Sequence, residues 1–398
     1  MFDAASSALR QRVQRGLVLV LVAALAACGS GGDTANPQVA TSAAKLGEQI
    51  FNDASLSASG QLACAGCHLK GQAFASNRVV DRGGPALEQT GTRNTPTLSY
   101  LDLTPAFFFD KEGTPTGGFN RDGRVSSLIE QARRPFLAPN EMANPSPAAV
   151  VAKLKAASYA EEFKALFGAG IFEQGNEALE RALFALASYQ REDVDFHPYT
   201  SKYDAFLGGK VTLTAQEVRG LALFNNPQKG NCAACHPSSR GTDGSAPLFT
   251  DFTYDNLGIP RNDDIAANQD PAHFDLGLCG PARSDLGERA DLCGAFKVPS
   301  LRNVELTAPY FHNGRFATLE DTLRFYVRRD THPEEWYPTR VDGSIDKFND
   351  LPDRFKANVN STEPPYNRKP GDEPALSEAE IADVVAFLKT LTDGFTTP

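Results

Sequence analysis

The pentapeptide Cys64-Ala65-Gly66-Cys67-His68 returns as Cys232-Ala233-Ala234-Cys235-His236. Two thiols three residues apart, with a histidine next in line, are what a chain needs to hold a haem covalently. Each thiol adds to one vinyl group, and the imidazole then sits under the iron as proximal ligand. Chance placement of the 7 Cys and 6 His would give about 0.002 such motifs. Two of them therefore mean two covalently bound haem c groups, through Cys64, Cys67, His68 and Cys232, Cys235, His236, around which the chain must fold. A thioredoxin-like C-x-x-C reading leaves both histidines unexplained.

The other cysteines fall into place around these four. Arg10, Arg12 and Arg15 precede an unbroken apolar run, Leu17 to Ala27, which is too short to span a bilayer and suits the core of an export signal. The run ends Leu25-Ala26-Ala27-Cys28, which resembles a bacterial lipobox. Residues 1–27 are then a lipoprotein-type signal peptide and Cys28 carries the acyl anchor. The alternative is ordinary signal cleavage with Cys28 incidental. Residues 28–41, rich in Gly, Ser, Thr and Asn, are expected to form a flexible tether. Either way the mature chain lies outside the cytoplasm, in the periplasm; with Cys28 acylated it touches the membrane through its lipid anchor only. In that oxidising compartment Cys279 and Cys293, set among Gly, Pro and Asp, are expected to pair as a local structural disulfide.

The surroundings of the two haem motifs repeat as well. Ala44-Lys45-Leu46-Gly47-Glu48-Gln49-Ile50-Phe51 precedes the first, and Glu217-Val218-Arg219-Gly220-Leu221-Ala222-Leu223-Phe224 the second, both with apolar residues at helical spacing. Downstream, Pro96-Thr97-Leu98 matches Pro299-Ser300-Leu301, and Asp122-Gly123-Arg124 matches Asn313-Gly314-Arg315. The expected fold is mainly α: two cytochrome c-type haem domains related by internal duplication, 42–195 and 205–398, with long irregular loops. Helical patterns recur at 147–167, 174–190, 214–225, 318–328 and 377–392, the last opening with a capping box, Ser377 and Glu380. Residues 329–375 read as a polar, proline-dotted excursion.

Charge narrows the partners. With 39 Lys+Arg against 49 Asp+Glu, a net −10, and no basic block, the chain is not a nucleic-acid binder. Its 41% apolar and 22% charged residues are those of an ordinary globular protein.

The partner of each iron on the side away from the histidine decides the chemistry: a second strong ligand makes an electron-transfer haem, an open position a catalyst. Thr318-Leu319-Glu320-Asp321-Thr322-Leu323-Arg324-Phe325-Tyr326, following Pro309-Tyr310-Phe311-His312-Asn313-Gly314, resembles the region where bacterial diheme cytochrome c peroxidases carry a Met ligand. Tyr326 stands in that place, as a Tyr does in the MauG-like branch of this superfamily, and the resemblance covers nearly all of 42–395. No Met follows Met142 to supply a thioether. A phenolate, hard and anionic, stabilises oxidised iron. His312 and His332 are the competing ligands. Aligning Gly123 with Gly314 sets Pro135 opposite Tyr326, and no His lies between His68 and His197. A proline cannot ligate iron, so the first haem is expected to be open without reductive activation.

The resemblance implies further roles. In the stretch from Ser127 to Met142, Gln131 and Glu141 match the distal Gln and Glu of the family: a desolvated carboxyl to move the peroxide proton and an amide to position the peroxide. Asn94, with the carbonyls of Thr307 and Pro309, matches the positions that hold a Ca²⁺ between the haems. One departure is plain. Where the family commonly has Trp-Asp-Gly-Arg between the haems, this chain has Arg121-Asp122-Gly123-Arg124, and its single Trp is Trp336. Phe119, a neighbouring Tyr or direct haem coupling is left to replace the indole. The function implied is a peroxidase reducing hydrogen peroxide at the His68 haem and storing oxidising equivalents on the His236/Tyr326 haem as a bis-ferryl pair, with a small redox protein or other electron donor as reductant. Two alternatives stand beside it: oxidation of side chains on a partner protein, as in the MauG reaction, and a non-enzymatic diheme electron carrier.

Overall fold

Two pairs of crossed helices carry the fold, and a glycine makes each crossing possible. The computed structural model describes residues 37–396, with side chains from residue 43. The signal segment, Cys28 and most of the tether lie outside the described residues. The first helix, α1 (Pro37–Asn52), begins inside the segment expected as tether, so 37–41 are helical instead. A single helical turn, α2 (Cys64–Cys67), carries the first thiol pair. Then come α3 (Leu128–Leu137), α4 (Pro147–Ala156), α5 (Ala160–Phe167) and α6 (Glu177–Glu192). After a short α7 (Lys202–Leu207), α8 (Ala215–Asn225), α9 (Leu319–Arg328) and α10 (Glu378–Lys389) complete the set.

Helix α1 crosses α6 at Gly47, where a Cβ would lie 2.0 Å from the Ala185 carbonyl oxygen. Helix α8 crosses α10 at Gly220, where a Cβ would lie 2.0 Å from the Asp383 oxygen. The two glycines occupy matching places in the repeated sequence. Around the first crossing Leu46, Ile50, Phe51, Phe136, Phe163, Leu183 and Phe196 form one apolar core. Around the second Tyr203, Phe224, Phe249, Leu323, Val384 and Phe387 form another. Ser377 with Glu380 caps α10 in a reciprocal capping box, as expected, and Thr214 with Glu217 does the same on α8.

Among the described residues strand is confined to three antiparallel two-residue ladders: β1 (Arg82–Gly83) with β2 (Gln89–Thr90), β3 (Phe108–Phe109) with β4 (Pro115–Thr116), and β5 (Tyr254–Asp255) with β6 (Phe296–Lys297). Main-chain bonds stitch the two cores together there. Gly117 N–H donates to Phe252 O (2.9 Å), Lys297 N–H to Arg121 O (2.9 Å) and Asn94 N–H to His312 O (2.8 Å). Cys279 and Cys293 are disulfide-bonded.

Elsewhere too the structure departs from the sequence pattern. The helical stretch 147–167 is broken between α4 and α5, where Ala157 and Tyr159 turn out of helical geometry. Helix α3 was absent from the pattern because Pro135 lies inside it, and a proline removes a backbone donor and argues against helix. The excursion 329–375 is irregular but not peripheral. Arg329, Asp330, Tyr337, Leu351 and Tyr366 are buried in it, and Trp336 packs edge-on against Phe316 and Phe325.

Replacing either crossing glycine by alanine forces backbone apart, and overpacking of this kind costs about 1–3 kcal/mol. Gly47→Ala and Gly220→Ala should each lower the thermal unfolding midpoint of the haem-loaded protein. An unchanged midpoint would show that the helix pairs can separate without cost.

Candidate functional site

Each thiol–histidine pair opens onto a cavity, and the same local device aims each imidazole. In α2 the helical turn closes with His68 N–H bonding Cys64 O (2.9 Å), and in the second motif His236 N–H bonds Cys232 O (2.8 Å). His68 Nδ1 donates to Phe74 O at 2.9 Å, and His236 Nδ1 to Phe249 O at 2.7 Å. A carbonyl can only accept, so Nδ1 carries the proton and Nε2 keeps its lone pair for a metal. Phe74 and Phe249 both hold positive φ, 56° and 55°, a conformation uncommon for a residue with a Cβ. A hydroxyl stabilises each turn from behind. Thr97 donates to the carbonyl of Ala73 (2.5 Å) and Ser300 to that of Leu248 (2.6 Å), the residues just before the two phenylalanines. Burial lowers the pKa of both imidazoles and pushes the four thiols up to about 12, so these groups are neutral. Sequence reasoning missed Phe74 and Phe249. Their signal was the repeat itself, in which Phe and a Pro-Thr/Ser-Leu segment recur behind each motif.

The first cavity brings together Cys64, Cys67, His68, Gln131, Pro135, Glu141 and Met142. His68 is the only histidine in its lining among the described residues. Gln131 reaches it from α3. Glu141 reaches it from the loop beyond, which folds back because Met142 N–H bonds Pro135 O (3.0 Å) and Asn144 Nδ2 bonds Leu56 O and Phe136 O (2.8 and 2.9 Å). Gly83 lies against this loop, where a Cβ would be 2.5 Å from Glu141 O. The Glu141 carboxylate pairs with Arg134, a partner not foreseen from the sequence. Burial raises its pKa, against the pull of Arg134 and Arg124.

The second cavity is lined by Cys232, Cys235, His236, Tyr326, Tyr366 and His312 among others. Tyr326 stands in the last turn of α9, its ring 5.7 Å from Phe311 and 5.9 Å from Tyr366. Burial drives its phenol pKa up, with Arg329 pulling the other way, so ionising it takes a further cation. Of the competing ligands, His332 is absent from the lining and His312 lies stacked on Phe296 at 3.7 Å.

Between the cavities lies a layer of charge. Arg93 bonds Asp122 and Asp275 (2.5–2.7 Å), and Arg124 also bonds Asp122 (2.8 Å). Lys297 Nζ donates to Gly118 O, and burial lowers its pKa to about 7. Arg121 lines both cavities. Burial and then Arg93 lower its pKa to about 10, so it stays charged at neutral pH. Phe119 packs on Leu128 and Ala187 and is absent from both linings. Asn94, Thr307 and Pro309 do meet at the second cavity, yet as arranged they do not fit a calcium ion. The Asn94 side-chain oxygen accepts from Arg121 Nη2 at 2.6 Å and its main-chain oxygen from Arg121 Nε at 3.0 Å, so the one side-chain oxygen offered to a calcium ion already faces a cation.

Over 373 residues the chain is 36% identical to the methylamine utilization protein MauG of Paracoccus denitrificans (strain Pd 1222), spanning 88% of each chain. It belongs to the di-haem cytochrome c peroxidase/MauG family. The di-haem cytochrome c peroxidase family description itself matches residues 41–212. The chain is 32% identical over 313 residues to the cytochrome-c peroxidase IdrP1 of Pseudomonas sp. (strain SCT), covering 74% of this chain and 73% of that one. Its fold is similar to the crystal structure of the diheme peroxidase BthA from Burkholderia thailandensis, with a TM-score of 0.80, 38% identity, and 90% and 87% of the two chains covered. The chain is thus a peroxidase-type oxidoreductase of a family that carries two haem groups. Both cavities fit that cofactor: a thiol pair to attach it, one imidazole Nε2 to hold its iron, and walls that are largely apolar. Among the described residues no helix is long and apolar enough to cross a membrane.

Cys232→Ser with Cys235→Ser should leave one covalent haem per chain in the alkaline pyridine spectrum, in place of two. Retention of two would rule out the second attachment site.

Proposed function

We propose that the protein is a MauG-like peroxidase of the periplasm that reduces hydrogen peroxide at the His68 site and holds oxidising equivalents at the His236/Tyr326 site. The observation that carries this reading is the contrast between the cavities. A phenol lines the second, while the corresponding place in the first is Pro135, with Gln131 and Glu141 beside it. When bound, haem supplies an iron that can give up electrons to peroxide. Hydrogen peroxide needs two electrons and two protons to become two waters, and the chain manages the protons. Paired with Arg134, the Glu141 carboxylate can accept a proton from one peroxide oxygen and return it to the other, leaving as water. The Gln131 amide offers both a donor and an acceptor to orient the peroxide. At the second site the Tyr326 phenolate would balance positive charge on oxidised iron. The matching Gly47 and Gly220 crossings and the matching Phe carbonyls support an origin of the two haem units, 42–195 and 205–398, by duplication. Export and the acyl anchor on Cys28 are part of the same reading.

A second reading keeps this chemistry but draws the electrons from side chains of a partner protein. The match to the Paracoccus MauG protein favours it. A partner that co-purifies and becomes oxidised on addition of peroxide would select it over small donors.

Glu141→Gln should slow peroxide reduction by about 10²–10⁴-fold, the range of general acid–base catalysis. A base must be ionised, and burial raises the Glu141 pKa, so the acid limb of the pH–rate profile should lie above the ordinary glutamate range. Arg134→Gln removes a pull toward ionisation and should move that limb higher still. Tyr326→Phe should change the low-spin visible and EPR signals of the second haem. A wild-type rate in the first variant or an unchanged spectrum in the last would sink the corresponding role.

A further inference from the structure

We propose that Arg121 is the resident cation between the two haem sites and stands where a calcium ion would otherwise bind, so that the loaded protein assembles and reacts without calcium. The proposal rests on the two-haem reading above. It answers two departures with one residue: the missing indole at position 121 and the ill-fitting calcium ligands.

The polar groups of Asn94 are fully committed. Its N–H donates to His312 O (2.8 Å) and its Nδ2 to Arg78 O (2.9 Å). Both its oxygens accept from the one guanidinium of Arg121, at 3.0 and 2.6 Å. The guanidinium is planar and its donors are set in a fixed fork, which suits two oxygens of one residue. A calcium ion on Asn94 would have to take the side-chain oxygen that this fork already holds.

The charge count points the same way. Arg93, Arg121 and Arg124 are cations in this layer, and its carboxylates, Asp122 and Asp275, are already paired with Arg93 and Arg124. Among the described residues Arg121 itself makes no ion pair with a carboxylate. A divalent ion would enter next to buried positive charge with no carboxylate free to offset it.

Nor is Arg121 placed to swing away. Its carbonyl accepts from Lys297 N–H, and the next residue, Asp122, is held through its carboxylate by Arg93 and Arg124 and through its carbonyl by Arg283 (2.9 Å). The backbone that carries the side chain is therefore fixed, and the guanidinium, held on Asn94, lines both cavities. A calcium ion comes and goes with its concentration. A guanidinium written into the chain does not.

The test uses the full-length protein with its haems counted first by the pyridine method. Fewer than two per chain would fail the two-haem reading and not this one. On protein carrying both haems, metal analysis should find calcium well below one per chain. Excess EGTA should leave the visible and EPR spectra and the peroxide rate unchanged. About one calcium per chain, or spectra that EGTA alters and calcium chloride restores, would overturn the proposal. Arg121→Leu removes the fork and frees the Asn94 oxygens, so its altered spectra should move back toward wild type on adding calcium chloride, to which wild type stays indifferent. A folded, two-haem Arg121→Leu protein as indifferent to calcium as wild type would also overturn it. Should that variant not fold, the wild-type chelation result decides alone.

Discussion

A single hydrogen bond in each half, from imidazole Nδ1 to the carbonyl of a phenylalanine, sets the direction of everything that can happen at a metal here. It chooses the tautomer, turns Nε2 into the cavity and sets the ring plane. The bond requires Phe74 and Phe249 to sit in a conformation that side chains avoid, and such strain persists only when the surroundings over-determine it. The surroundings are visible. Thr97 and Ser300 tie down the preceding carbonyls, and the rings of Phe74 and Phe249 are buried against the aromatic cores, Phe74 stacked on Phe196 at 4.1 Å and Phe249 edge-on to Phe224 at 6.3 Å. The apolar core is thus coupled directly to ligand orientation.

What differs between the halves lies on the far wall of each cavity. In the first, α3 ends in a proline-bearing turn, and the loop beyond it bends back to set Glu141 beside Arg134. In the second, α9 runs one unbroken course to Tyr326, and the supposed excursion returns to cover that tyrosine with Tyr366. Arg329 lies over the Tyr366 ring at 4.4 Å, so a buried cation faces the aromatic wall of the second site. Two halves with like histidine–phenylalanine geometry therefore offer a carboxylate and an amide on one side and an enclosed phenol on the other. The layer between them is ionic, not aromatic, because Arg121 occupies the place where an indole would have made it so.

Much of the site was legible because its signals are covalent or local. The thiol pairs and their histidines are read from spacing alone, and the capping box of α10 from the Ser377–Glu380 pattern. Gln131, Glu141 and Tyr326 came through family resemblance, and each does line the cavity to which it was assigned. Helix α3 was hidden because Pro135 speaks against helix locally, while burial of Leu128, Ala132 and Phe136 speaks for it only in the packed structure. The burial of 329–375 was hidden for a related reason. Its polar residues are satisfied by partners distant in sequence, as when Arg329 donates to Leu257 O (2.9 Å) and Asn360 O (2.6 Å).

By itself the sequence determined that two thiol pairs are each followed by a histidine, and that no methionine follows Met142. These follow from residue identity and short spacing, which no packing can alter. Only the tertiary structure decided which cations meet which oxygens: that Arg134 grips Glu141, that Arg93 joins Asp122 to Asp275, and that Arg121 takes both oxygens of Asn94. Long, flexible, charged side chains carry no periodicity to read. Their partners are set by where buried oxygens are left after the helices and the aromatic cores have packed.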